Sequence, residues 1–449
     1  MVALACAKDT DEGYELRLRG QQDLDTVIAE AGDLLASAEK RLHDLMLLIE
    51  QRRTFRFELE AHRFLHDSLS ELLQKLPVIE TKEKAQVAGR LSWARQIERL
   101  SLAHPKARRT WGEVRDSLTK ADDITASKLY GGKNLELRDE NVMGLAPIGM
   151  NPVTKLWEFY ELRSAWDGKV DPKDIEIPQH DAEGAIQMGD DTGLVFVLLP
   201  GGSVLVGSQT NDPKGPGFDA DAEPDACVDE VQLSPFFLSK YELTQGQWAR
   251  LWKGDDRMEW SVAYKAGWEV NGVMVTRANP VEQVDWAMCE SLLLRHGMVL
   301  PTEAQWEYGC RAGTSTPWLC AFDELRHYAN VADETARLSY PMWGQFETWA
   351  DMYTAHAPVG SFRANAFGLH DVHGNVWEWC RDVFGNYYCP ETEGDGLRLR
   401  KKVVGSHRVL RGGSFIDPGQ FAKSAIRYHF PPEVRNGSIG VRPARALKP

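Results

Sequence analysis

The chain has 449 residues, 43% of them hydrophobic and 26% charged, with a formal net charge of −14. That length and balance fit a soluble globular protein of two or three domains. The acidic surplus argues against a protein that neutralises nucleic-acid phosphates across a broad basic face. No apolar run reaches the ~20 residues that span a bilayer, so neither nucleic acid nor membrane is an expected partner. The seven cysteines, at positions 6, 227, 289, 310, 320, 380 and 389, have no CxxC spacing and read as reduced thiols of a cytoplasmic protein. The stretch Met1 to Asp9 lacks the basic start and the long apolar core of a signal peptide, so none is expected.

Residues 1–128 read as a helical domain. Leu24, Val27, Ile28, Ala31, Leu34, Leu35, Ala38, Leu42, Leu45 and Ile49 recur at helical spacing, and Phe55, Leu59, Leu65, Leu69, Leu72 and Leu76 continue it up to Pro77. A long hairpin broken near Gln51 is expected, with two more helices over 80–104 and 107–128. Such helices could dock a partner protein. Residues 129–190 read as a small α/β segment whose Asp-, Gly- and Pro-rich end, Asp167 to Gly189, is a surface connector. Residues 191–449 hold few long periodic runs; Thr244, Asp285 and Thr302 are expected N-caps of helices reaching Trp252, His296 and Cys310. Long Gly-rich loops separate them, and such loops in a compact domain are usually functional or ion-held.

The strongest local signal is the stretch from Gly368 to Asp382. Gly374 can turn the chain at positive φ, and Asn375 tolerates turns. Trp377 and Trp379 then alternate with Glu378, which puts both indoles on one face and the carboxylate on the other. Backbone carbonyls beside an amide oxygen and a carboxylate suit a hard cation such as calcium.

Eight motifs in series carry a resemblance, among them Leu199-Pro200-Gly201-Gly202, Tyr241-Glu242-Leu243-Thr244, Asn279-Pro280-Val281, Leu300-Pro301-Thr302-Glu303 with Trp306, Ala357-Pro358-Val359-Gly360, Arg411-Gly412-Gly413-Ser414-Phe415 and Gly440-Val441-Arg442-Pro443. From about Thr192 to Lys448 the chain resembles the formylglycine-generating enzyme (sulfatase-modifying factor) family, which has a C-type-lectin-like fold. The expected architecture is therefore α+β, a helical N-terminal domain followed by this loop-rich domain.

The resemblance implies two calcium sites. Asn330, Val331, Asp351 and Tyr353 would form the first, and His373, Asn375, Val376 and Glu378 the second. Side-chain oxygens would come from Asn330, Asp351, Asn375 and Glu378, and backbone carbonyls from the other four. The alternative reading is that these polar groups only cap turns. Enzymes of the family bind copper through two cysteines after the Gly-Gly-Ser-aromatic turn, and soft thiolates select Cu(I). The matching positions here are Asp417 and Ala422, so no copper is expected and formylglycine generation is disfavoured. Cys380 and Cys389 lie elsewhere in the motif order and read as packing residues.

Two alternatives stay open. A relative of this fold makes sulfoxides with non-haem iron, and His62 and His66, with His43 upstream, share a helix face that could ligate a metal. The matching carboxylate position is Ser68, however, and Glu71 lies one and a half turns away. A lectin-like receptor diversified by retroelements is the other alternative. The leading expectation is a non-catalytic recognition or adaptor protein. It would bind a protein or peptide ligand through Asp417, Gln420, Lys423, Arg427, Tyr428, His429 and Arg435. The competing reading of Arg427 and Arg435 is internal ion pairing. The basic run Arg398 to Lys402 reads as a solvated loop or a patch for an acidic partner.

Overall fold

A computed structural model of the chain describes residues 96–119, 129–130, 135–222, 227–252, 260–261, 263–386, 391–398 and 405–447, with positions 33, 36, 37, 40–45 and 93 upstream. Met1–Arg95 and Gln96–Pro449 form two compact units. The described positions of the first unit are helical, as their spacing predicts.

In the second unit, residues 96–102 are helical and Trp111–Thr119 follows as a further helix. Its buried Trp111 stacks on Phe159 at 5.2 Å, and Val114 and Leu118 join the same core. Five strands make an antiparallel sheet: β1 (Leu145–Met150), β2 (Trp157–Glu161), β3 (Val195–Leu199), β6 (Phe236–Ser239) and β15 (Ala444–Ala446) pair in that order. β3 reads Val-Phe-Val-Leu-Leu and every residue in it is buried, which is why its sequence shows no alternation. The sheet takes strands from both sides of residue 190, so the segment around Pro147 and Trp157 is built into the same layer as the loop-rich domain.

A ribbon of β4 (Gly202–Gly207) and β5 (Val228–Leu233) falls between β3 and β6 in sequence, and a short hairpin of β7 (Glu269–Val270) and β8 (Val273–Met274) follows β6. Three capped helices follow their sequence signals. Thr244 and Gln247 form a reciprocal capping box on Gln245–Leu251, Asp285 caps Trp286–Arg295, and Thr302 and Gln305 form a second box on Glu303–Arg311. Each cap satisfies amides that would otherwise be orphaned, an effect of roughly 1 kcal/mol.

The second sheet, ordered β13 (Tyr428–Phe430), β12 (Arg408–Arg411), β11 (Trp377–Val383) and β14 (Ile439–Gly440), mixes antiparallel and parallel pairs. The short parallel bridge of β9 (Ala329–Asn330) and β10 (His373–Gly374) ties the loops beside it. Trp248, Trp306 and Trp379 are among the largest fully buried side chains, so much of the Trp content is core. No helix among the described residues is long and apolar enough to cross a membrane.

Candidate functional site

The bridge between β9 and β10 sets the site. Gly374 has φ 77°, and a Cβ there would sit 2.0 Å from the Asn330 carbonyl oxygen, so only glycine fits. Asn375 follows at φ 61°, and its amide N–H donates to that same carbonyl at 2.7 Å. The Asn375 side chain then works as a clamp. Its Oδ1 accepts from Ala357 N at 2.8 Å and Asn330 Nδ2 at 3.1 Å, and its Nδ2 donates to Glu242.

In the first expected calcium set, two oxygens are left over. Asn330 Nδ2 donates to Ala355 O at 2.9 Å, which fixes the amide and leaves Oδ1 buried without a donor. Asp351 Oδ1 accepts from Tyr353 N at 2.8 Å, while Oδ2 is buried and unpartnered. A second carboxylate, Asp333, stands beside it. Asp333 caps Glu334–Ser339 through the amides of Thr335 and Ala336, and it also accepts from Asp351 N. Burial pushes the Asp351 carboxyl up to about 8, with the Asp333 charge adding to the effect. Orphaned buried acceptors next to two crowded carboxylates are oxygen groups of the type a hard cation prefers. Val331 is buried and Tyr353 half-buried, and these two would contribute main-chain carbonyls. These residues fit calcium. Sequence reasoning missed Asp333, whose signal was its own capping pattern, Asp-Glu-Thr-Ala.

The second expected set is arranged differently. Both side-chain oxygens that it relied on are spent on protein donors: Asn375 Oδ1 as above, and Glu378 on Arg442 and Trp306. Arg442 Nε lies 3.0 Å from both Glu378 oxygens, Arg442 Nη2 is 2.8 Å from Oε1, and Trp306 Nε1 donates to Oε2 at 2.6 Å. The same guanidinium also donates to the carbonyls of Ser239, Lys240, His370 and Asp371. His373 spends its ring on the Ala422 carbonyl at 2.6 Å and the Leu319 amide at 3.3 Å, and the Val376 amide donates to Glu242. The set His373, Asn375, Val376 and Glu378 therefore does not fit calcium through the side chains named for it. The orphaned oxygen in this cluster is Asp371 Oδ1. Burial pushes Glu242, Asp371 and Glu378 all upward, Asp371 to about 7. Glu242 and Asp371 were missed because both read as ordinary motif letters.

On the C-terminal face, Asp417 takes one of the two positions that match the family's copper cysteines. Its Oδ2 accepts from Trp377 Nε1 at 2.9 Å and from Ser414 Oγ. Burial pushes its carboxyl up, although Ser414 and Trp377 hold it down. Ala422, at the other position, is buried, and a Cβ on Gly413 would come within 3.0 Å of its Cα, so this turn has no spare room. Tyr428 stacks on Trp377 at 5.4 Å and is 41% exposed. Gln420 is exposed and meets Gln345 at 3.3 Å.

Three expected ligand cations are turned inward. Lys423 is buried and bonds Asp219 at 2.8 and 2.9 Å. Arg427 pairs with Glu303 and donates to Gly385 O at 2.6 Å, and Arg435 pairs with Asp285 at 2.8 Å. His429 Nδ1 meets His407 Nδ1 at 2.7 Å beneath the Phe384 ring. Arg398, which opens the basic run, is buried and paired with Asp229 at 3.0 Å, while 399–402 lie outside the described residues. Burial pushes the Cys310 thiol up to about 12 and the Cys380 thiol up as well, so neither is a ready thiolate. His62, His66, Ser68, Glu71 and Cys389 also lie outside the described residues. Among the described residues no three His, Cys, Asp or Glu side chains converge as a metal group.

The loop-rich architecture with this Gly-Gly-Ser turn defines the class of domain. Residues 187–447 match the Sulfatase-modifying factor enzyme 1-like domain, and the chain belongs to that family. It is 30% identical over 265 residues to the formylglycine-generating enzyme of Thermomonospora curvata, covering 49% of this chain and 82% of that protein. It is also 26% identical over 264 residues to the inactive C-alpha-formylglycine-generating enzyme 2 of Mus musculus, covering 52% of this chain and 78% of that protein. Among solved structures, PvdO from Pseudomonas aeruginosa is similar at TM-score 0.45 and 26% identity, covering 58% of this chain and 97% of that one.

Proposed function

We propose that this chain is a recognition protein built on the sulfatase-modifying-factor fold, and that its C-terminal face grips a protein or peptide instead of oxidising a thiol. One observation carries the reading. Where the resemblance calls for two thiols, the chain has a carboxylate held by Trp377 and Ser414 and a buried alanine. Ala422 cannot ligate a metal, and Asp417 is a hard ligand poorly matched to Cu(I). The binding surface is narrower than the sequence suggests: it centres on Asp417, Gln420 and Tyr428, because Lys423, Arg427 and Arg435 are neutralised internally.

Calcium belongs to this proposal as a structural ion. Asn330, Val331, Asp351 and Tyr353 would hold it, with Asp333 beside them. When bound, the ion supplies positive charge to crowded oxygens and ties the loops that support the face. Hydrogen bonds link the two regions directly, since Ala332 N donates to the Asp417 backbone carbonyl at 2.9 Å and Gly419 N donates to the Glu347 side-chain Oε1 at 2.9 Å.

The test supplies the purified protein with Cu(I), oxygen and a cysteine-containing peptide, and follows aldehyde by mass spectrometry. No aldehyde is expected. Copper-dependent turnover would overturn the reading.

A further inference from the structure

One loop, residues 332–351, lies against the turn at 415–420. Ala332 N reaches the Asp417 backbone carbonyl at 2.9 Å, and Glu347 Oε1 accepts from Gly419 N at 2.9 Å. Gln345 Oε1 accepts from Gln420 Nε2 at 3.3 Å, and the Trp343 ring meets Phe415 edge-on at 5.9 Å. The loop thus straps the turn that carries Asp417. Its own packing is thin. From Arg337 to Ala350 no residue is buried, and Leu338 and Met342 are 78% and 92% exposed. Segments with few buried apolar contacts open at low free-energy cost.

The strap is closed at its neck. Glu347 N donates to Ala332 O at 2.8 Å, Glu334 N donates to Trp349 O at 2.9 Å, and Asp333 Oδ2 accepts from Asp351 N. Met352, next to Asp351, has φ 77°, a strained setting for a residue other than glycine. Asn330 is 1% exposed, and its Nδ2 donates to Ala355 O at 2.9 Å and Asn375 Oδ1 at 3.1 Å. Its Oδ1 is buried without a donor, as is Asp351 Oδ2. Among the described residues no Lys or Arg acts on Asp333 or Asp351. Closing the neck without a cation strands two acceptors and sets two carboxyl groups side by side; opening it lets water reach them.

We propose that this neck is a calcium-operated latch. With the ion bound, the strap stays down on the 415–420 turn; without it, the strap lifts and uncovers that turn. Asp333 couples the two, because the same side chain meets Asp351 and caps the Glu334–Ser339 helix that leads into the stacked Tyr340 and Trp343 rings. The inference rests on the calcium reading above and adds control over when the face is accessible.

The test is hydrogen exchange of the full-length protein, read by mass spectrometry, with calcium at about a hundred times its dissociation constant against chelator. The amides of Arg337, Tyr340, Trp343 and Glu347 are hydrogen-bonded within the strap. They should exchange about a hundredfold more slowly with calcium, the ratio set by an ion that binds only the closed form. The Gly419 amide, held by Glu347, should follow them. The helix Trp286–Arg295 is the reference and should change far less. Asp351→Asn should show no calcium-dependent protection. If calcium raises the melting temperature but slows strap and reference helix alike, or slows neither, the latch is refuted and the ion is structural only. If calcium changes neither melting temperature nor exchange, both the latch and the calcium reading fail.

Discussion

Two oxygen-rich clusters flank the β9–β10 bridge, and the chain treats them in opposite ways. Around Arg442 the protein supplies its own cation: one buried guanidinium serves the Glu378 carboxylate and four backbone carbonyls. Among the described residues no Lys or Arg acts on the crowded carboxylates around Asp351, and Asn330 Oδ1 and Asp351 Oδ2 are left without donors. The sequence presents both clusters in the same letters, Asn, Asp and Glu near turns. What separates them is whether a distant residue returns with positive charge. Arg442 is 64 residues beyond Glu378, and no local pattern announces the pairing.

The largest expected effect breaks the self-sufficient cluster. Arg442→Leu leaves Glu242, Asp371 and Glu378 buried with no cation, which should cost about 3–5 kcal/mol. A urea melt at neutral pH should show this loss or outright unfolding. Arg442→Lys should rescue little, because one ammonium cannot reach the carboxylate and four carbonyls at once.

Next comes calcium. Ion at a hundred times its dissociation constant should stabilise the protein by roughly 3 kcal/mol, read as a rise in melting temperature over chelator-treated protein. Asp351→Asn should abolish the rise. If the variant keeps the full rise, the ion sits elsewhere.

A smaller effect sharpens the contrast through pH. Burial holds the Asp371 carboxyl up at about 7 in the fold, against about 4 in an unfolded chain. The folded state therefore keeps this proton longer, so this group's contribution is fully present below about pH 4 and is lost as pH rises to about 7. Asp371→Asn, which tolerates the φ of 56° found there, should flatten that part of the stability profile. An unchanged profile would mean the carboxyl is not held protonated by the fold.

The smallest effect lies away from both clusters. Thr302→Ala removes a capping-box hydroxyl and should cost about 1 kcal/mol, measured as a shift in urea midpoint with calcium response intact.

These elements mark how far the sequence could be read. The caps Thr244, Asp285 and Thr302 were legible because capping is local, and the helices begin where those residues predict. Gly374 was legible for a related reason: a turn needing positive φ advertises itself. The family fold was legible because its motifs stand in order along the chain. Pairings over long separations were not. Lys423 looked like a ligand residue and proved to be committed to Asp219, 204 positions away. Arg427 looked similar and reaches Glu303, 124 positions away. Asp417 stood out in the sequence as a missing thiol, and the indole and hydroxyl that hold its carboxylate were visible only in the fold.

The contrast between the clusters is tested most directly by counting ions. Isothermal titration of calcium into chelator-treated protein should give one ion per chain, absent in Asp351→Asn and retained in Asp371→Asn. Two ions in the unmodified protein, or binding lost only in Asp371→Asn, would contradict the account.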